Sequence, residues 1–204
     1  SWLDAPNLRQ YAFKEHEGSY IVGIAAAKAS KTGKVGFVGG MDIGLIRRFA
    51  CGYVGGVKSV NASAEVYQNM TGTTPAAWND PAKGAELTQS QIDRGADVVY
   101  HAAGGTGAGV IQAAADAGKL AIGVDSNQNG MAPGSVLTSM LKRVDVAAYE
   151  TFMDVKNGNF SAGVHVLGLA EGGVDWALDE NNASLVTADM KAAIESARAD
   201  IVSC

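Results

Sequence analysis

Three side chains with complementary chemistry follow apolar segments of this sequence: Trp78, Asp125 and Lys142. A flat indole stacks on heterocyclic rings, an interaction worth ~1–3 kcal/mol for nucleic-acid bases. A carboxylate accepts hydrogen bonds from two hydroxyl groups, and an ammonium group donates to a ring nitrogen or a carbonyl oxygen. Each residue also has a purely structural interpretation, in which Trp78 covers a hydrophobic edge, Asp125 caps a turn and Lys142 is solvated. Their positions at successive strand ends favour a binding site.

A glycine-rich segment lies between these residues. The apolar run Ala96–Ala102 is followed by Gly104, Gly105, Thr106, Gly107 and Gly109, then by the Ala-rich run Val110–Ala117 and the apolar run Leu120–Val124. This order predicts a β-α-β unit whose glycine loop turns its amide hydrogens towards the space above the sheet. Ligands of open α/β sheets bind outside the carboxyl ends of the strands, so the glycine loop and Asp125 are expected to face one small molecule.

The same segment was compared with the dinucleotide-binding fingerprint. Gly105 and Gly107 have the required spacing, and Asp125 lies at the next strand end, where an acid would bind a ribose. The third glycine position is Val110, and the unit lies in mid-chain. An NAD-dependent oxidoreductase is therefore kept only as an alternative, and no cofactor is expected.

Other catalytic arrangements lack support. No Gly-Lys-Ser/Thr follows the glycines, there is no Gly-x-Ser-x-Gly, and the two cysteines and three histidines do not have zinc-ligand spacing. His101, beside the glycine loop, fits a structural histidine better than a base, and Cys51 is expected to be a small core residue. We therefore expect neither an enzyme nor a metal site.

Strands alternate with helices along the chain, which predicts an α/β fold with a doubly wound parallel sheet. Loop structure is expected over Ser1–Gln10, and a turn or hairpin over Glu171–Asp179. The expected helices are Glu15–Ser30, Ile43–Val60, Pro81–Arg94, Val110–Ala117, Val144–Val155 and Thr187–Ala199. The expected strands are Val35–Val38, Glu65–Met70, Ala96–Ala102, Leu120–Val124, Val136–Ser139 and Gly163–Gly168. The formal net charge of −5, without a Lys/Arg cluster, argues against nucleic-acid binding.

Six ordered motifs resemble the basic membrane protein (BMP) family, the substrate-binding lipoproteins of ABC importers that include the purine nucleoside receptor A type. They are Phe13–Tyr20, Val35–Asp42, Asp80–Gly84, Gly95–Gly107, Gly123–Gln128 and Thr138–Asp145. The resemblance implies a type I periplasmic-binding-protein fold, with two lobes that close on a purine nucleoside or nucleobase. It also implies permease subunits as partners and a periplasmic or cell-surface location through an N-terminal lipid anchor.

Carried over residue by residue, the resemblance makes Trp78 the stacking aromatic and Asp125 the ribose-binding acid. Gly104, Gly105 and Thr106 belong to the cleft loop, and Lys142 is a polar contact to base or sugar. Phe13 and Met41 are weaker candidates.

The family's signal peptide, lipobox cysteine and N-terminal ligand strand have no counterpart here, which implies a fragment holding mainly the C-terminal lobe. On this interpretation residues 1–30 are an entry loop and crossover helix, residues 31–140 the ligand-binding core and residues 141–204 returning hinge and helical segments. An effector-binding sensory or regulatory domain of the same fold is the other alternative. The sequence leaves open the identity of the ligand, its affinity, the oligomeric state and the role of Cys204.

Overall fold

The computed structural model describes residues 3–203; Ser1, Trp2 and Cys204 lie outside the described residues. The helices are α1 (Glu15–Ala29), α2 (Gly44–Val60), α3 (Pro81–Asp93), α4 (Gly107–Asp116), α5 (Val144–Asn157) and α6 (Ala188–Ser203). The strands are β1 (Arg9–Phe13), β2 (Lys34–Met41), β3 (Glu65–Gly72), β4 (Val98–Ala102), β5 (Leu120–Asp125), β6 (Val136–Lys142), β7 (Gly163–Leu167) and β8 (Val174–Trp176). Short 3-10 turns cover Pro75–Trp78, Gly104–Thr106 and Asn129–Met131.

Six strands form the main sheet in the order β3-β2-β4-β5-β6-β8. All neighbours are parallel except β8, which runs antiparallel to β6. Successive residues of β2 face opposite sides, with Phe37 in the apolar core of α1 and α2 and Val38 in the core that α3 and α4 cover. Helices on both faces of a mainly parallel sheet confirm the predicted α/β doubly wound fold.

A smaller group of elements lies beside this sheet. β1 pairs in parallel with β7, and the side chain of Arg9 on β1 donates to Asp154 of α5 at 2.6 Å and to the carbonyl oxygen of Ser161, between α5 and β7, at 2.9 Å. α5 exposes 65% of Tyr149 and 75% of Phe152. β7 likewise exposes its valines, Val164 and Val166. A two-stranded parallel sheet with apolar residues exposed on it and on its helix differs from the usual parallel sheet, which is covered on both faces.

The chain crosses between the two groups three times, at residues 13–15, 142–144 and 167–174. The N–H of Lys14 donates to the carbonyl of Leu167 at 2.9 Å, which joins the first crossing to the third. The N–H of Arg143 donates to the carbonyl of Gly173 at 2.8 Å and joins the second crossing to the third. A carboxylate oxygen of Glu17 also accepts from the N–H of Leu169 at 2.8 Å. The three crossings therefore form one hydrogen-bonded strap.

The structure corrects three sequence predictions. The loop expected over Ser1–Gln10 is wrong at its end, because Arg9 and Gln10 begin β1 by pairing with a segment more than 150 residues away. The turn or hairpin expected over Glu171–Asp179 instead contains β8, whose partner is β6. Cys51 is exposed, not in the core, because the buried side of α2 is formed by residues such as Phe49, Ala50 and Tyr53.

Two kinds of feature are absent from the described residues. Among the described residues, no helix is both long and apolar enough to cross a membrane. Within residues 3–203, no three acidic, histidine or cysteine side chains are grouped so that they could hold a metal ion.

Candidate functional site

The carboxyl ends of β2, β4, β5 and β6 meet at one edge of the main sheet, as the parallel pairing requires. β5 ends at Asp125 and β6 at Lys142, and Asp125 lies opposite Leu141 in the register of the two strands. Lys142 Nζ stands 3.0 Å from Asp125 Oδ1. The neighbouring strand ends thus place a carboxylate and an ammonium group in contact, as expected for side chains on adjacent parallel strands.

This ion pair is open to solvent, with 51% of the Asp125 side chain and 26% of the Lys142 side chain exposed. Exposed pairs contribute about 0–1 kcal/mol to stability. A ligand that offers hydroxyl groups to Asp125 can therefore replace Lys142 at small cost.

Trp78 ends the 3-10 turn that follows β3, and its ring lies over β2. A Cβ built on Gly40 would stand 2.3 Å from Cζ3 of the indole, so the ring occupies the space that a side chain at position 40 would need. The indole also contacts Gly104, where a Cβ would be 3.6 Å from Cε3. Trp78 is half-buried and packs against the main core with one part of its surface. It therefore covers a hydrophobic edge and also presents an aromatic surface at the sheet edge.

A cavity of about 210 Å³ lies between these groups. Its apolar wall comes from the first turns of α2, and its floor from the ends of β4 and β5, while Trp78, Asp125 and Lys142 complete it. The remaining lining residues are Leu45, Ile46, Phe49, Ala102, Ala103, Gly104 and Val124. Pockets that bury drug-sized ligands measure roughly 300–1,000 Å³. This open cavity is smaller than such a pocket and corresponds to one side of it.

A second cavity of about 470 Å³ lies beyond the ion pair, along Asp125–Asn127 and Leu141–Asp145. Asp125 and Lys142 line both cavities and separate them. A third groove, of about 630 Å³, runs between α1, α2 and α6 at Tyr20, Cys51 and Ile201. Apart from Lys14, which directly follows β1, its lining residues belong to these helices, and none comes from the strand ends of the main sheet, so the cavities of about 210 and 470 Å³ form the candidate site.

Four residues singled out from sequence do not line either of these two cavities in the described part of the chain. Thr106 is buried, and its hydroxyl donates to the carbonyl of Ala77 and accepts from the N–H of Asp80, each at 2.8 Å. It therefore ties the glycine loop to the turn that carries Trp78. Gly105 is exposed beside Asn79, and Met41 and Phe13 are half-buried at the ends of β2 and β1.

The wall supplied by α2 was not singled out as part of the site. Leu45 was predicted to belong to a helix, but it is 37% exposed at the first turn, which is unusual for a large apolar residue on an otherwise buried face. The signal was available in the sequence, because the helix begins directly after the buried strand β2, and its amino end must therefore lie at the same sheet edge.

His101 sits in β4 behind the site and is fully buried. Burial lowers the pKa of its imidazole to about 4, against a smaller opposing effect of the hydrogen bond to Gln128. Its Cε1 would be 2.0 Å from a Cβ at Gly107. Gly107 is thus explained by the close packing of this ring, which is a different role from admitting a pyrophosphate. The neutral, enclosed imidazole agrees with the structural role predicted for it.

Comparison with known proteins gives one consistent result. The family described as ABC transporter substrate-binding protein PnrA-like matches residues 3–203. The chain is 36% identical to the "ABC transporter nucleoside-binding protein BmpA" of Lactococcus lactis subsp. cremoris, over 98% of this chain and 59% of that protein. It is also 36% identical to "Basic membrane protein D" of Borreliella burgdorferi, over 86% of this chain and 51% of that protein.

A solved structure agrees with these sequence matches. An ABC transporter solute-binding protein from Aeropyrum pernix superimposes with a TM-score of 0.86 at 29% identity, over 100% of this chain and 66% of that one. The present chain thus spans roughly one half to two thirds of the relatives that it matches. The sheet order, the site at the strand ends and the match over residues 3–203 lead to one conclusion: the chain belongs to the BMP family of PnrA-like ABC transporter substrate-binding proteins.

Proposed function

We propose that the full-length protein is the substrate-binding component of an ABC importer and that it captures a purine nucleoside or a related nucleobase. The observation that carries this proposal is the meeting of Trp78, Asp125 and Lys142 around one apolar cavity at the strand ends. An indole surface suits the flat base, and a carboxylate at 3.0 Å from an ammonium group suits the ribose hydroxyls and a neighbouring acceptor. The name of the Lactococcus relative, a nucleoside-binding protein, supports the same ligand class.

We propose further that the candidate site is one wall of a cleft and that a second lobe of the full-length protein supplies the other. In this arrangement β1, β7 and α5 belong to that second lobe. Their exposed apolar side chains, Tyr149 and Phe152 on α5 and the valines of β7, would be covered by the remainder of the lobe. The small volume of the cavity, about 210 Å³, supports the same interpretation, because a nucleoside needs contacts on both faces.

The protein would act outside the cytoplasmic membrane, held there by a lipid anchor, and would deliver its ligand to permease subunits. In this role it binds and releases the ligand unchanged. This role does not require any residue of the cavity to transfer a proton, and it does not require the enclosed His101 to act as a base.

A thermal-shift screen of the full-length mature protein tests the proposal. The screen compares purine nucleosides, free bases, pyrimidine nucleosides, sugars, riboflavin and NAD. A ligand at about a hundred times its dissociation constant stabilises the fold by roughly 2.7 kcal/mol. Stabilisation by adenosine, guanosine or inosine is the expected result. Stabilisation by NAD alone would overturn the proposal in favour of a dinucleotide-dependent enzyme. Stabilisation by sugars or riboflavin alone would overturn it in favour of a different transported ligand.

A further inference from the structure

Asp125 has an unusual backbone conformation. Its φ is 66°, and it is the one residue other than glycine with a positive φ in the described part of the chain. The N–H of Ser126 donates to the carbonyl of Val124 at 2.8 Å, across Asp125. A hydrogen bond from residue i+2 to residue i around a positive φ marks the rarer, strained form of the γ-turn. Such a conformation persists only where surrounding contacts impose it.

Gln128 contacts the chain on both sides of this turn. Its Oε1 accepts from the N–H of Val124 at 2.8 Å, and this assigns the amide oxygen, because a backbone N–H only donates. The ring nitrogen Nε2 of His101 lies 2.9 Å from the same oxygen and must therefore carry the proton that it donates. The backbone N–H of Gln128 in turn donates to Ser139 Oγ at 2.9 Å. One residue thus fixes the chain immediately before and after the strained turn.

The space for this side chain is built into β5. A Cβ at Gly123 would stand 2.6 Å from Ser139 Oγ and 2.8 Å from Gln128 Cβ. The absence of a side chain at position 123 therefore lets Gln128 fold back onto the strand that ends in Asp125.

The loop is held from its far side as well. Ser139 Oγ donates to Asn129 Oδ1 at 2.9 Å, and Asn129 Nδ2 donates to Asp179 Oδ2 at 3.0 Å. Asn127 Nδ2 donates to the same carboxylate oxygen at 2.6 Å. The Asn127 side chain, followed by the backbone N–H of Asn181, holds the pKa of Asp179 below its usual range. Residues 126–129 are thus held by hydrogen bonds on both sides, and these bonds restrict the backbone angles of the adjacent Asp125.

We propose that Gln128 is a positioning residue: it holds Asp125 in the left-handed conformation that directs the carboxylate towards the ligand. One part of this proposal rests on the proposed function, namely that Asp125 accepts hydrogen bonds from ligand hydroxyls. The backbone part of the proposal is independent of any ligand.

The first experiment uses the ligand-free, full-length protein. NMR measures the amide exchange of Val124 and Ser126 and the backbone coupling that reports φ of Asp125, in the wild type, Gln128→Leu and Gln128→Glu. The leucine variant loses the acceptor oxygen. It is expected to show faster hydrogen exchange at both amides and a φ of Asp125 outside the positive range. The glutamate variant keeps an acceptor oxygen and is expected to restore the turn.

Gln91→Leu is the matched control. Gln91 is buried and its side chain also bonds a strand backbone, here by donating to the carbonyl of Phe37 at 3.0 Å, but it bonds nothing in the loop of Asp125. A general loss of stability would affect both leucine variants, whereas a positioning role changes Asp125 only in Gln128→Leu. An unchanged φ of Asp125 in Gln128→Leu would overturn the proposal whatever the protein binds.

The second experiment measures calorimetric affinity for inosine and for 2′,3′-dideoxyinosine, in the wild type, Gln128→Leu, Asp125→Ala and the double variant. Inosine affinity is expected to fall roughly 10-fold or more in Gln128→Leu, as for the loss of a hydrogen bond to a charged group, and dideoxyinosine affinity by less than about 2-fold. In the Asp125→Ala background, Gln128→Leu should have no further effect. Equal losses for the two ligands would contradict the positioning role. If the wild type binds no purine nucleoside or nucleobase of the thermal-shift screen, the proposed function fails, and the NMR experiment still decides the role of Gln128.

Discussion

The indole of Trp78 lies against the backbone of Gly40, so close that a single added carbon on Gly40 would stand 2.3 Å from the ring. The position of the aromatic surface at the candidate site therefore depends on Gly40 of β2, a residue without a side chain. β2 itself continues through Gly39, Gly40 and Met41, past the predicted end at Val38, because Gly39 and Met41 pair with Met70 and Gly72 of β3.

Gly40→Ala should displace Trp78. Overpacking of this kind typically costs about 1–3 kcal/mol. Urea unfolding gives the stability, and the near-UV circular dichroism and inosine affinity report the movement of the indole. Gly44→Ala is the control, because a Cβ there meets nothing within 4 Å at the start of α2. Equal behaviour of the two variants would show that Trp78 does not depend on Gly40.

Trp78→Ala and Asp125→Ala should each weaken purine nucleoside binding by the full-length receptor. Loss of the stacking surface is expected to cost ~1–3 kcal/mol, which is roughly 5- to 150-fold in affinity. Asp125→Ala should weaken the binding of ribonucleosides more than the binding of their dideoxy analogues. Cys51→Ser, an exposed change on α2 outside the two site cavities, should leave calorimetric affinity unchanged. Unaltered affinity in both site variants would refute the assignment of the cleft.

Lys142→Met should hardly change stability, because the partner of Lys142 is half exposed and such pairs contribute less than about 1 kcal/mol. Nucleoside affinity should nevertheless fall, since the ammonium group is lost from the cleft. Lys83→Met removes a comparable exposed pair with Glu86 on α3 and serves as the control for both measurements. A drop in stability of several kcal/mol in Lys142→Met alone would make the pair structural.

Acid should destabilise the fold through His101. The pKa of an unfolded histidine is ~6.5, whereas burial lowers the pKa of His101 to about 4 in the folded protein. Between these values the unfolded chain binds more protons, so this contribution is complete above about pH 6.5 and is lost as the pH falls towards 4. The full loss amounts to about 3 kcal/mol.

The contribution of His101 can be separated from that of the carboxylates by a difference measurement. Urea unfolding of the wild type and of His101→Asn at pH 7, 6, 5 and 4 gives the two pH profiles. The variant is expected to be less stable at pH 7 and to show a shallower fall in acid. Parallel profiles would mean that His101 takes up its proton without unfolding.

Local sequence patterns predicted the five parallel strands of the main sheet, because strands such as β2 and β5 are contiguous apolar runs. Val35–Val38, for example, has neighbours buried on both faces, and this is characteristic of a central parallel strand. β1 and β8 were missed because they are short and depend on partners far along the chain. Arg9–Phe13 becomes a strand only when β7 lies beside it, and Val174–Trp176 only beside β6.

The site was predictable only in part, for a similar reason. Asp125 and Lys142 could be placed at one sheet edge because strand ends converge there, and the structure brings them into contact. The role of Gln128 could not be read from the sequence, because it depends on a side chain folding back over Gly123 and on a positive φ. For Thr106 the sequence suggested a role that the structure does not show. Its place in the glycine loop suggested ligand contact, whereas its hydroxyl bonds two backbone groups.

The strap formed by the three chain crossings also has a mechanical consequence. Hydrogen bonds from Lys14 to Leu167 and from Arg143 to Gly173 place the three tethers side by side. Tethers aligned in this way permit rotation about the line that they define and resist sliding or twisting across it. Opening of the two parts of the molecule would then follow a single angular coordinate, and one pair of distance probes, on α2 and α5, would suffice to follow it.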